Sequence, residues 1–125
     1  MSTKENRPTS PHLTIYKMQI SSTLSILHRI TGVLIFAGFA LITWWFIFFV
    51  FNDFCNCYFG VFNHIISKCI LFCISFAYFY HFCTGIRHLI WDMGKCFSIQ
   101  EVNITGWVAV ICGICLTLIF WFIIL

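Results

Sequence analysis

The sequence predicts an all-α membrane protein of three transmembrane helices, and three observations carry that prediction. Of 125 residues, 61% are hydrophobic, 20% aromatic and only 9% charged, too little polar surface to cover a soluble globule. Three stretches, 30–51, 65–86 and 102–125, are uncharged apart from Lys68 in the first turn of the second. Each is long enough to cross the hydrocarbon of a bilayer, which takes about 20 residues of helix. The basic residues are also unevenly placed. Lys4, Arg7, Lys17 and Arg29 precede the first stretch, Arg87 and Lys95 follow the second, and the connection 52–63 has none. By the positive-inside rule the N-terminus and the second connection face the cytoplasm or matrix. His28-Arg29 and Arg87-His88 then share one membrane face. The expected organisation is an N-terminal arm over 1–20 on that inner face and a single transmembrane domain over 21–125. Its spans are expected at about 24–51, 65–90 and 104–125.

The arm, MSTKENRPTSPH, holds both prolines, which keep the backbone extended. It has no apolar core or cleavage pattern of a signal peptide, and it carries Glu5 and lacks the arginine-rich amphipathic pattern of a transit peptide. It reads as a lid or as a contact for a soluble partner. Residues 13–21 follow at the membrane surface, with Tyr16 at headgroup level. Ser21, Ser22 and Thr23 offer N-cap hydroxyls for the first helix.

That helix opens with a polar face. Ser22, Ser25, Arg29 and Gly32 recur at i, i+3, i+7 and i+10, and His28 flanks them. A lone arginine near the end of a span is an ordinary snorkelling anchor. A serine hydroxyl one turn before it adds a neutral hydrogen-bond donor beside a fixed cation. That pair suits a carbonyl that becomes more anionic as it is reduced, as on a membrane quinone. Beyond it, Gly32 and Gly38 are six apart, which is not a small-xxx-small packing pattern. Trp44 and Trp45 are lipid-facing or interfacial bulk, and His64 and Lys68 are interface anchors at the start of the second span.

The second span ends in YHFCTGIRHLIWD, residues 80–92. At about 100° per residue, His81, Gly85, His88 and Asp92 fall on one stripe about 60° wide. An imidazole inside a lipid-spanning helix is costly unless paired, so it marks a functional site. Two readings of His81 stand at this point: a bond to a neighbouring helix, or an axial ligand to haem iron through a neutral ring nitrogen. Gly85, one turn on, leaves space for a flat group. His88 cannot reach the same iron from the same helix, and is placed instead for the polar rim of a porphyrin, with His28 and Arg29. Arg87 is expected to snorkel to the interface, and Asp92 to orient His88 or balance Arg87.

The third span has no ionisable side chain apart from cysteines, carries Trp107 and Trp121 at its two ends, and reads as scaffold. The chain has eight cysteines. Cys69, Cys73, Cys83, Cys112 and Cys115 lie in apolar spans, where cysteine behaves as a small hydrophobe. Cys112-x-x-Cys115 lacks the strand–turn context of a redox motif. Cys55 and Cys57 have too few partners nearby for a metal site. The net charge of +3 is small and scattered, which argues against nucleic acid.

RPTSPHLTIYK at the N-terminus, STLSILHRITG at the first span and HFCTGIRHLIWD closing the second together resemble the cytochrome b subunit family of succinate dehydrogenase. The resemblance covers nearly the whole chain. It departs at Met18, where many relatives carry proline, in the arm and away from the site. It implies the larger of two membrane anchors of respiratory complex II. His81 matches the axial ligand to haem b, with the second axial histidine supplied by the other, smaller anchor subunit. Ser25 and Arg29 match the ubiquinone-site pair, and His28, Arg29 and His88 match residues around the haem propionates. Flavin (FAD) and iron–sulfur clusters then belong to a flavoprotein and an iron–sulfur partner subunit, since this chain has neither dinucleotide-binding glycines nor cluster cysteine spacing. Succinate chemistry is not expected on this chain itself.

Three alternatives remain at this level. One is the anchor of a quinol:fumarate reductase, the same machine run backwards. A second is a haem-free structural anchor in which His81 only bridges helices. The third, a small transporter or channel, ranks last, because the ionisable groups cluster at one face and the third span is bare. The expected location is an energy-transducing membrane, either the bacterial plasma membrane or, for an organelle-encoded chain, the mitochondrial inner membrane.

Overall fold

The computed structural model describes residues 18–51 and 64–124. Over these residues the chain is three α-helices, α1 (Ile20–Phe51), α2 (Ile65–Asp92) and α3 (Ile99–Ile124), with no strand. All three are long and apolar enough to span a membrane, so the expected all-α, multi-pass class holds. Most of the arm over 1–20, the connection over 52–63, and with it Cys55 and Cys57, lie outside the described residues. At 1.5 Å per residue the 32 residues of α1 run for about 48 Å, well beyond about 30 Å of hydrocarbon. Its ends therefore reach into the headgroup layers.

The helix ends follow local chemistry. α1 starts at Ile20, ahead of the serines expected to cap it, and the Thr23 hydroxyl donates back to the Gln19 carbonyl at 3.2 Å. These hydroxyls thus sit within the first turn. α2 is capped by His64, whose Nδ1 accepts the Ile66 N–H at 3.4 Å. At its other end the Gly94 N–H donates to Trp91 O at 2.8 Å and the Lys95 N–H to Ile90 O at 3.3 Å. Gly94 has φ of 75°, so this is a Schellman stop with glycine in the left-handed position it requires. α3 opens on a reciprocal capping box. The Glu101 N–H donates to Ser98 Oγ at 3.3 Å, and the Ser98 N–H to Glu101 Oε2 at 3.2 Å.

The bundle is apolar outside and keeps its buried polar groups between the helices, as expected where lipid is the solvent. Thr31, Thr84, Arg87 and Thr117 are buried, whereas most large aliphatic and aromatic side chains are exposed. α3 turns a stripe of small residues inward, namely Gly106, Ala109, Gly113 and Thr117. A Cβ on Gly113 would lie 3.1 Å from the Tyr80 Cα, so α2 and α3 meet backbone to backbone. Trp121 belongs to this packing too: its Nε1–H donates to Ser75 Oγ at 2.8 Å, across to α2. α1 contributes less. Leu24 closes on Gly106 at one end, and Ile74 of α2 fills the space beside Gly38 further along.

Candidate functional site

The polar residues of α1 and α2 meet at one end of the bundle. His28 and His81 stack with ring centroids 3.9 Å apart and planes 10° from parallel. His88 lies 4.9 Å from His28 and edge-on to Trp91 at 5.4 Å. Two histidine motifs 53 residues apart in sequence are thus one cluster.

Hydrogen bonds fix which nitrogen of His81 carries the proton. Its Nδ1 is 3.0 Å from the His28 carbonyl oxygen. A carbonyl only accepts, so Nδ1 holds the hydrogen and donates. The Thr31 hydroxyl is a second acceptor, 3.2 Å from the same Nδ1, while its own proton goes to the carbonyls of Leu27 and His28, each at 2.9 Å. The lone pair of His81 is therefore on Nε2, which no described residue engages. On the other ring, His28 Nδ1 sits 2.8 Å from the hydroxyl of Thr84, which is 1% exposed. That hydroxyl donates to the Tyr80 carbonyl at 2.8 Å, leaving a lone pair for the His28 Nδ1–H.

The stacked rings of His28 and His81 hold their lone pairs in nearly parallel planes, so that pair does not converge on one ion. Among the described residues no group of three or more His, Cys, Asp or Glu forms a metal-ligand set. A haem asks something different of this chain, a single imidazole with its tautomer fixed by a carbonyl and its other nitrogen free. His81 fits that demand. Gly32 fits with it, because a Cβ there would come within 3.1 Å of His81 Cε1. Beside Gly85 the nearest neighbour is His28, at an ordinary 3.8 Å from a hypothetical Cβ.

Ser25 and Arg29 lie one turn apart on the flank of α1 beside His28. Ser25 is half-buried and Arg29 exposed, and among the described residues neither side chain has a hydrogen-bond partner. Both are free to bind something else. The large cavity of about 770 Å³ at this end lies on the other side of α1, against α3, and includes neither.

Two expectations are corrected here. Arg87 does not snorkel outward. It is 4% exposed and crosses to α3, with Nε donating to Thr105 Oγ1 at 3.2 Å and Nη2 to the Val102 carbonyl at 3.0 Å. Its guanidinium also lies 3.9 Å over the Trp91 ring. The reason is the distribution of acceptors: α3 offers a hydroxyl and a first-turn carbonyl within reach, and five N–H donors are costly to leave unpaired. Asp92, in turn, is exposed and pairs with neither Arg87 nor His88 among the described residues. The sequence reading also missed Thr31 and Thr84, whose signal is faint because threonine in a helix routinely bonds its own backbone.

Comparison with known proteins gives a consistent result. The family described as succinate dehydrogenase/fumarate reductase transmembrane subunit matches residues 3–121. The succinate dehydrogenase cytochrome b556 subunit of Rickettsia felis is 55% identical over 115 residues, covering 92% of this chain and 90% of that one. The cytochrome b560 subunit of Reclinomonas americana is 40% identical over 130 residues, covering 94% and 86%. The cytochrome b556 subunit of Paracoccus denitrificans is 36% identical over 99 residues, covering 78% and 76%.

Proposed function

The chain belongs to the succinate dehydrogenase/fumarate reductase transmembrane subunit family, and from that membership we propose that it is the haem b- and ubiquinone-binding anchor of a succinate:quinone oxidoreductase. The observation that carries the reading is His81, an imidazole in a membrane helix with Nδ1 committed to the His28 carbonyl and Nε2 free. Nε2 is the nitrogen that would hold haem iron, with a second histidine that a smaller partner anchor would supply. His28 and His88, clustered beside it, serve the propionate rim with Arg29. Haem b, when bound, supplies a one-electron store beside the quinone.

Quinone binds at Ser25 and Arg29. The serine hydroxyl donates to a quinone carbonyl, and the guanidinium stabilises the negative charge that grows on that oxygen during reduction. A fixed cation at a partly desolvated boundary is effective because its field is not spent on an internal partner. Electrons from succinate arrive through a flavoprotein and an iron–sulfur partner, which carry FAD and the clusters, so succinate chemistry lies off this chain. The working place is a respiratory membrane, bacterial or mitochondrial, with the His28 end toward the cytoplasm or matrix.

The test is a reduced-minus-oxidised optical spectrum of the assembled complex, wild type beside His81→Leu. A b-type signal lost or strongly perturbed in the variant supports the reading. An unchanged signal moves the ligand elsewhere, and a wild-type complex with no b-type signal removes haem from the proposal.

A further inference from the structure

We infer that Thr31 and Gly32 are positioning residues for His81, a two-residue cradle on α1 that holds the α2 imidazole in one tautomer and one orientation. The inference rests on the proposed haem role of His81 and assigns to α1 a part that the ligand alone does not define.

Two contacts carry it. The Thr31 hydroxyl, on a residue 8% exposed, lies 3.2 Å from His81 Nδ1 and 2.9 Å from the His28 carbonyl that accepts the same N–H. The imidazole N–H is thus shared between two oxygens on α1, and the hydroxyl ties those oxygens to each other. A single acceptor permits the ring to swing about one hydrogen bond, whereas two acceptors side by side restrain that swing. The neighbouring residue acts by shape. Gly32 presents no side chain where His81 Cε1 approaches, and a methyl group there would sit 3.1 Å from that carbon, closer than a ring carbon tolerates without moving. Thr31 holds the ring and Gly32 admits it, from adjacent positions of one helix turn. The stacked His28 ring at 3.9 Å closes one of its faces.

The physical consequence is electronic as well as steric. Hydrogen bonds to the distal nitrogen of a ligating imidazole fix its orientation and raise its basicity. A change at Thr31 should therefore alter the ligand field of the iron while leaving the ligand itself in place. Thr43 supplies a matched control: its hydroxyl makes the same kind of back-bond, to Phe39 O at 2.8 Å, with no imidazole nearby.

The experiment uses the assembled, haem-loaded complex with Thr31→Val, Thr31→Ser, Gly32→Ala and Thr43→Val. It reads haem retention, the highest low-spin g value and the haem midpoint potential. Thr31→Val, nearly equal in shape, should shift g value and potential together; Thr31→Ser should return both, and Thr43→Val should move neither. Gly32→Ala should weaken haem retention by about 10- to 100-fold, as loss of an outer-shell support does. Thr31→Val indistinguishable from wild type in g value and potential, in a complex whose haem signal is lost in His81→Leu, overturns this inference alone. A wild-type complex without b-type haem overturns instead the functional reading beneath it.

Discussion

Arg87 of α2 donates its Nε–H to the Thr105 hydroxyl of α3 at 3.2 Å, and that hydroxyl passes its own proton to the Glu101 carbonyl at 2.7 Å. The bond ties a buried cation to a neutral acceptor, with no acidic partner among the described residues. A guanidinium tolerates this because its charge is spread over a plane that also rests on Trp91. Trp91 in turn faces His88, so the α2–α3 clasp backs the histidine cluster from behind.

Removing the hydroxyl should therefore cost more than an average helix contact. Thr105→Val leaves the shape nearly unchanged but strands one buried N–H of a charged group, at about 1–3 kcal/mol. The purified complex should melt at lower temperature in detergent, and Thr105→Ser should restore it. A melting temperature equal to wild type for Thr105→Val would show that the clasp carries no net stability.

A second expectation concerns the α2–α3 seam. Gly113 faces the Tyr80 Cα and N, so an added Cβ at 3.1 and 3.4 Å meets backbone, which cannot turn aside as a side chain can. Gly113→Ala must push the helices apart, with an overpacking cost of about 1–3 kcal/mol. Thermal unfolding of the complex measures it. Equal stability would mean that α3 can shift along its axis at no cost.

The three spans were legible because composition alone decides them: runs of apolar residues this long have few other places to be. His81 was legible for the opposite reason, as an ionisable group where hydrocarbon punishes one. Thr31 and Thr84 were not, because each meets its histidine ring across two helices, and the backbone carbonyl that shares the His81 N–H with Thr31 leaves no mark in sequence. The inward turn of Arg87 was hidden for the same reason, since half its clasp is the Val102 carbonyl. By contrast, the start of α3 was written in Ser98-Ile99-Gln100-Glu101 and its seam in Ala109-x-x-x-Gly113-x-x-x-Thr117.

The capping box gives a local test. Ser98→Ala removes the oxygen that accepts the Glu101 N–H and should weaken the first turn of α3 by about 1 kcal/mol. Amide exchange at Glu101 and Val102 should accelerate, with protection near Gly113 unchanged. Unchanged exchange at Glu101 would mean that another acceptor holds that N–H.

Arg29 should separate chemistry from stability more cleanly than any other residue here. It is exposed and has no hydrogen-bond partner among the described residues, so Arg29→Ala removes no contact that holds the three helices together, and the complex should still assemble. If the guanidinium stabilises charge on a quinone oxygen, its loss should cost about 3 kcal/mol of transition-state stabilisation, or on the order of 100-fold in quinone reduction. Succinate oxidation measured with a soluble artificial acceptor, which bypasses the membrane site, should persist at the wild-type rate. Ser25→Ala should behave alike but more mildly, because it removes one neutral donor and leaves the cation. Quinone reduction by Arg29→Ala at the wild-type rate would sink the quinone-site role of this pair. A parallel fall with the artificial acceptor would place the defect in assembly, contrary to the exposed and unpartnered position of the side chain.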